Sequence, residues 1–86
     1  MSGPMITPSL ALLKAKQLAR VVRVKRSEHD SPMSRQLEEI GFITGERVQV
    51  LSKALFGGDP MVVRIGVSTF ALRRAEAELI EVDLEG

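Results

Sequence analysis

The stretch Gly41-Phe42-Ile43-Thr44-Gly45 decides which fold this sequence can adopt. It separates a helix-like segment from a strand-like segment, and it is called the corner below. Glycine adopts a left-handed backbone without penalty, so we expect Gly41 to end the helix and Gly45 to start the strand. The apolar Phe42 and Ile43 are expected to pack the helix against the rest of the domain. The corner is therefore expected to be tight and packed.

The segment before the corner carries the pattern of a short amphipathic helix. Ser31 and Pro32 suit a helix cap and a first helical position. Met33, Leu37 and Ile40 then follow at spacings of four and three, which places them on one face. A helix this short is not stable alone in water. We therefore expect its apolar face to pack across one end of a sheet.

The remaining apolar segments predict five short strands. The strands are expected at 18–25, 47–53, 61–66, 68–74 and 80–84, with short helical turns at 9–15 and 75–79. In the first strand, Leu18, Val22 and Val24 are expected to face the core. In the last, Ile80, Val82 and Leu84 alternate with acidic residues and predict a half-buried strand. This order predicts a mainly β protein, a small SH3-like barrel with a short helix between the first and second strands, whose closure removes exposed strand edges.

Length and composition favour a single soluble domain. The 86 residues allow one domain, of which residues 1–8 are expected to be flexible. The sequence contains no cysteine, so neither disulfides nor a zinc-thiolate site can stabilise it. It has no apolar run of the roughly 20 residues that span a bilayer, and no secretory signal pattern. We expect a cytoplasmic protein without membrane insertion.

Charge is distributed unevenly along the chain although the net charge is only +1. Up to Arg35 there are seven basic and two acidic residues, and from Gln36 onward there are five basic and nine acidic residues. Nonspecific nucleic-acid binders usually carry a larger excess of positive charge. No nucleic-acid partner is therefore expected, and a weak nucleic-acid module using residues 14–26 stays as an alternative.

The sequence contains no residue pattern that indicates catalytic activity. His29 is the only histidine, and every proton-transfer proposal would have to use it. It stands in the run Glu28-His29-Asp30, whose side chains are metal ligands by type. Adjacent side chains in an extended chain point to opposite sides, so one ion cannot easily bind all three. The run is read as a solvated loop, with a weak surface site for zinc or iron as the alternative, and no cofactor is required.

Two segments could bind a partner. One is the loop that follows the second strand, where Leu55 and Phe56 precede two glycines and either fold back onto the barrel or stand out as a binding anchor. The other is a pair of adjacent arginines at the end of the fourth strand, which solvate the barrel or recognise an acidic partner. The candidate partner-binding residues are Leu55, Phe56, Gly57, Asp59, Arg73 and Arg74.

Three motifs of this sequence resemble the FeoA family, the ferrous iron transport protein A. The run RQLEEIGFITGERVQV, residues 35–50, is similar to that family's Arg-x-Leu-x-x-Met-Gly-Leu-x-x-Gly-x-x-Val-x-Val signature. Residues 55–60 resemble its Leu-Gly-Asp-Pro stretch, and residues 70–82 resemble its closing segment. The family often has Pro-Gly before the first strand, where this chain has Ala15 and Lys16.

The resemblance implies an SH3-like barrel in the cytoplasm and a partner, the membrane ferrous iron transporter FeoB, which carries a GTP-binding domain. It implies an accessory or regulatory protein that is not an enzyme. The same barrel occurs at the C-terminus of iron-dependent repressors, so a metal-binding regulatory module is the alternative. A homodimer is compatible with each of these functions.

Overall fold

The computed structural model describes residues 8–26, 31–54, 57 and 59–85. In chain order its elements are a 3₁₀ turn Leu10–Leu12, β1 Leu18–Val24, α1 Ser31–Glu39, β2 Arg47–Lys53, β3 Met61–Ile65, β4 Ser68–Leu72, α2 Arg74–Ala77 and β5 Ile80–Leu84. These bounds confirm the predicted mainly β fold with a short helix between its first two strands.

The five strands form one antiparallel sheet in the order β4-β3-β2-β1-β5. Among the described strands β4 and β5 do not pair, so the expected closure is not completed by hydrogen bonds at that seam. The β5 edge is covered in part by the chain itself. Pro8, expected to be flexible, accepts a hydrogen bond from the Val82 N–H at 2.9 Å, and Ser9 bridges to Glu81.

The core lies between the inner faces of the strands, under α1 and the 3₁₀ turn. Its fully buried large side chains have less than 2% exposure: Phe42, Leu10, Leu13, Leu37, Met61, Ile80, Val21, Val48, Val50, Val63 and Val82. Met33, Ile40 and Phe70 pack against this core and are half-buried. The predicted apolar face of α1 is therefore confirmed. That face also contains Ser34, whose buried hydroxyl donates to the Lys25 carbonyl oxygen and joins α1 to the end of β1.

The corner ends α1 with the hydrogen bonds of a Schellman motif. The Gly41 N–H donates to the Glu38 carbonyl and the Phe42 N–H donates to the Leu37 carbonyl, both at 3.1 Å. Gly41 has φ 125°, a conformation that other residues rarely adopt. The turn carries Phe42 directly from the helix end into the core. This confirms the predicted role of Gly41.

The other half of the corner is bonded to β1. Gly45, at φ 91°, donates its N–H to the Val21 carbonyl at 2.8 Å, and the Val21 N–H donates to the Glu46 carbonyl at 2.9 Å. The Thr44 hydroxyl donates to the Val22 carbonyl at 2.8 Å. These contacts continue the pairing of β1 with β2, so Gly45 starts β2 as predicted.

The predicted inner face of β1 is wrong in its first half. Ala19, Val21 and Val24 are buried, whereas Leu18 is 36% exposed and Val22 is half-buried. The register against β5 shifts between Val21 and Arg23, as in a β-bulge. A bulge inserts one residue and exchanges the faces beyond it, so no single alternating set describes the whole strand.

Two further side chains expected to be inside are exposed. Ile43 is 52% exposed, because the tight turn from the Gly41 carbonyl to the Ile43 N–H, at 2.9 Å, leaves Phe42 alone to fill the core. Leu84 is 50% exposed at the last position of an edge strand, where no described strand lies beyond it. The inward alternation of β5 therefore ends at Val82.

Lys16 has an unusual backbone in the turn before β1. Its φ is 76°, in the left-handed region that costs a residue with a Cβ about 1 kcal/mol or more. The Lys16 N–H donates to the Val50 carbonyl at 2.6 Å, and its carbonyl accepts from the Gln49 side chain at 3.0 Å. These bonds to β2 hold the strained conformation in place. A glycine at this position would carry no such strain.

We expect Phe42→Ala to destabilise the whole domain, by about 3–5 kcal/mol, because it removes a large, fully buried side chain from the core. Ile43→Ala is the matched control, and its effect should be well below that of Phe42→Ala because Ile43 is half in solvent. Urea denaturation followed by circular dichroism measures both. Equal losses of unfolding free energy would contradict the assigned role of Phe42.

We expect Lys16→Gly to raise the free energy of unfolding by about 0.5–1 kcal/mol, because glycine removes the left-handed strain. The greater conformational entropy of the unfolded glycine chain offsets only part of this gain. Lys16→Ala is the control, since it removes the same exposed side chain and keeps the Cβ. Thermal and urea denaturation would show the difference. A loss of stability in Lys16→Gly, or an equal gain in both variants, would contradict the explanation.

Candidate functional site

The loop between β2 and β3, residues 54–60, was predicted to carry a partner anchor. Leu55 and Phe56 lie outside the described residues, so their role as an anchor stays a prediction. Gly57 is exposed with φ 76°, and Asp59 is exposed. The Ala54 N–H donates to the Pro60 carbonyl at 3.1 Å and joins the two ends of the loop. The loop is thus closed at its base, and its described residues Gly57, Asp59 and Pro60 are exposed.

Asp59 connects this loop to the candidate arginines. Its carboxylate Oδ1 accepts a hydrogen bond from the Arg74 N–H at 3.0 Å. Asp59 and Pro60 also line a shallow hollow together with Ala71 and Arg73. The structure therefore brings Asp59, Arg73 and Arg74 together, although they are distant in sequence. We call the loop and these two arginines the loop–arginine surface.

The predicted setting of the two arginines needs correction. β4 ends at Leu72, two residues earlier than predicted, and Arg74 is the first residue of α2. The chain leaves β4 there because the Glu76 carboxylate accepts the Arg73 N–H at 2.8 Å and starts a helical turn. Arg73 and Arg74 consequently do not alternate across a strand. Both are exposed at the start of a short helix.

The Arg74 guanidinium has a weak internal partner. It lies 3.5 Å from the Glu78 carboxylate, four residues later, and both side chains are more than half exposed. Exposed pairs of this kind contribute about 0–1 kcal/mol. The guanidinium can therefore exchange Glu78 for a carboxylate of a partner at little cost.

The metal hypothesis concerns residues that the structure does not describe. Glu28, His29 and Asp30 all lie in the gap between residues 26 and 31. Within the described ranges no three or more His, Asp or Glu side chains gather closely enough to hold a metal ion. The weak site predicted for zinc or iron stays a prediction.

The uneven charge of the sequence is largely compensated in space. The acidic strand β5 lies beside the basic strand β1, where Glu85 is 2.8 Å from Arg20 and Glu81 is 3.0 Å from Arg23. Arg26, beyond β1, is paired with Glu38 of α1. These pairs reduce the positive field that nonspecific binding of nucleic acid needs.

The contact of Glu85 with β1 was missed by the sequence analysis. Glu85 also reaches Arg47 at the start of β2, 3.3 Å away. The only signal in the sequence is the opposite charge of the first and last strands, and it becomes useful once these strands are known to be neighbours.

In the part of the chain that is described, no helix is long and apolar enough to cross a membrane.

The chain is similar to proteins of one family over most of its length. The model of the FeoA domain matches residues 9–84. The FeoA of Stenotrophomonas maltophilia, a prokaryotic SH3 domain protein solved in complex with zinc, is 36% identical, with 87% of this chain and 88% of that chain covered and a TM-score of 0.79. The FeoA protein of Chlorobium tepidum is 32% identical, with 91% and 70% covered and a TM-score of 0.78.

A transcriptional repressor shares the fold. A manganese-dependent repressor solved with manganese is 23% identical, with a TM-score of 0.80 over 96% of this chain and 39% of that chain. At this identity the likeness shows the fold alone. A search of curated proteins found no match. The family model and the two FeoA structures agree with the resemblance of the sequence motifs, and the chain belongs to the FeoA family.

Proposed function

We propose that this protein is a cytoplasmic accessory factor of bacterial ferrous iron uptake that acts by binding the GTP-binding domain of a FeoB-type transporter. The observation that carries the proposal is the match of residues 9–84 to the FeoA domain. The Stenotrophomonas maltophilia relative has been put forward as an activating factor of bacterial ferrous iron transport. FeoA is not a known enzyme family, which fits a function based on binding.

The loop–arginine surface is the proposed docking site. It combines a loop closed at its base with two exposed arginines, and Asp59 joins the loop to the start of α2 at 3.0 Å. Leu55 and Phe56 supply the apolar anchor, and Arg73 and Arg74 supply cations for carboxylates of the transporter domain. Apolar anchors beside arginines are typical of binding hot spots. Support for this surface comes from the exposure of Asp59, Arg73 and Arg74 and from the apolar side chains that the sequence has at Leu55 and Phe56.

We expect Phe56→Ala to weaken binding to the purified GTP-binding domain by about tenfold or more, with a smaller loss for Leu55→Ala, as for hot-spot side chains. Biolayer interferometry with the domain loaded with GDP or with a GTP analogue would measure this. Val67→Ala is the matched control, since Val67 is fully exposed in the turn between β3 and β4, at the end of β3 opposite the loop. Absence of binding in every nucleotide state would refute the proposed partner.

A metal-responsive role is the second candidate, favoured by the zinc complex of the Stenotrophomonas maltophilia relative. In this chain the ligands would come from Glu28, His29 and Asp30, with an exposed, weak site for a divalent ion. Imidazole is the preferred zinc ligand of the three.

We expect His29→Ala to abolish most of the zinc binding seen by isothermal titration calorimetry, because it removes the only imidazole of the chain. Glu46→Ala, which removes an exposed carboxylate elsewhere, should leave the affinity unchanged. Equal zinc affinity of the His29→Ala variant and the unmodified protein would eliminate this site.

A further inference from the structure

Two arginines face each other on the outer side of the sheet. Arg20 of β1 and Arg47 of β2 are direct cross-strand partners. Like charges in this position repel each other and destabilise a sheet. The repulsion is relieved by Glu85, whose Oε1 lies 2.8 Å from Arg20 Nε and whose Oε2 lies 3.3 Å from Arg47 Nε. One carboxylate is thus held between two guanidinium groups, an arrangement that we call the clamp.

The clamp is held in position by backbone contacts. A terminal nitrogen of the Arg20 guanidinium donates to the Gly45 carbonyl at 2.9 Å, so the corner fixes its orientation. The Glu85 N–H donates to the Leu18 carbonyl at 3.1 Å and brings its carboxylate over β1. The arginine side chains are 50% and 58% exposed, so both guanidinium groups are also accessible from solvent.

A third arginine extends this site across the sheet. Arg64 of β3 is the cross-strand partner of Gln49, which lies two residues beyond Arg47 on β2. Arg20, Arg47 and Arg64 line the same shallow hollow, together with Glu46 and other residues. Arg64 is exposed and forms no ion pair with any residue that the structure describes. The hollow therefore offers a position for a second carboxylate beside the clamp.

The ligand chemistry follows from what already occupies the clamp. Guanidinium groups bind carboxylates through two parallel hydrogen bonds, and the clamp holds a carboxylate now. Among the described residues, no aromatic side chain lines the hollow, so they offer bases no stacking platform there. Glu46 also lines the hollow, and its carboxylate repels any anion placed close to it. When Glu85 leaves, three arginines face one remaining carboxylate.

We propose that the outer face of β1, β2 and β3 binds an acidic segment of a partner protein, with one carboxylate in the clamp and another at Arg64. Glu85 is the internal occupant that the segment displaces. This site shares no residue with the loop–arginine surface and does not depend on it. The two arginines are at least half exposed, so each ion pair contributes about 0–1 kcal/mol, and the entering carboxylate takes over the place of Glu85 between the two guanidinium groups.

The test uses a fluorescein-labelled hexaglutamate peptide and fluorescence anisotropy at low ionic strength. The peptide should bind and should dissociate as salt is added. Arg64→Gln should weaken binding by about threefold to tenfold, the loss of one charge-assisted contact. Glu85→Gln should strengthen binding severalfold, because it removes the competing carboxylate. Arg35→Gln, an equal charge change at an exposed position of α1, should leave the affinity nearly unchanged.

Four outcomes would overturn the proposal. These are no binding of the peptide at low ionic strength, equal effects of Arg64→Gln and Arg35→Gln, weaker binding by Glu85→Gln, and tighter binding of a single-stranded DNA of equal charge. The last would assign the face to nucleic acid. The Arg64 and Arg35 side chains are exposed, so circular dichroism should show both variants folded and the comparison stays valid.

Discussion

The burial of Phe42 is the contact on which the rest of the structure depends. Gly41 turns the chain at φ 125°, and the next residue enters the core with 0% exposure. There its ring lies 6.3 Å from that of Phe70 on β4, in a tilted arrangement typical of favourable aromatic pairs. One side chain thus connects α1 to the far strand of the sheet. The corner's bonds to Val21 then align β2 with β1.

The same arrangement of strands determines what the surface can bind. The pairing of β1 with β5 places acidic beside basic residues, so Arg20 and Arg23 are neutralised by carboxylates of the same molecule. Two local groups of arginines are accessible to a partner: those beside Asp59, and those of the outer face with Arg64. Local sites of this kind suit carboxylates of a protein partner better than the long phosphate backbone of a nucleic acid.

The local patterns of the sequence were sufficient for the elements and for the corner. The two glycines of the corner predicted the end of α1 and the start of β2, and the spacing from Met33 to Ile40 predicted the helix face. Patterns failed where register or tertiary contact decides: the bulge after Val21 exchanges the faces of β1, and Glu76 ends β4 early by capping α2. In the candidate site, the hydrogen bond between Asp59 and Arg74 could not be predicted from the sequence, because it depends on the fold. The role of Leu55 and Phe56 as a binding anchor stays a prediction.

Because β1 lies between β2 and β5, its pairing in the sheet is complete only when the last strand is available. β1 is synthesised first, yet Ala19 pairs with Leu84 in the last strand, so the sheet contains contacts of high sequence separation and is expected to form slowly. Until β5 leaves the ribosome, one edge of this valine-rich strand has no partner. Arg20 and Arg23 are charges within that strand, and such charges oppose pairing with another chain. Arg20 and Arg23, which pair with Glu85 and Glu81 in the folded protein, are thus expected to oppose such pairing while β5 is absent.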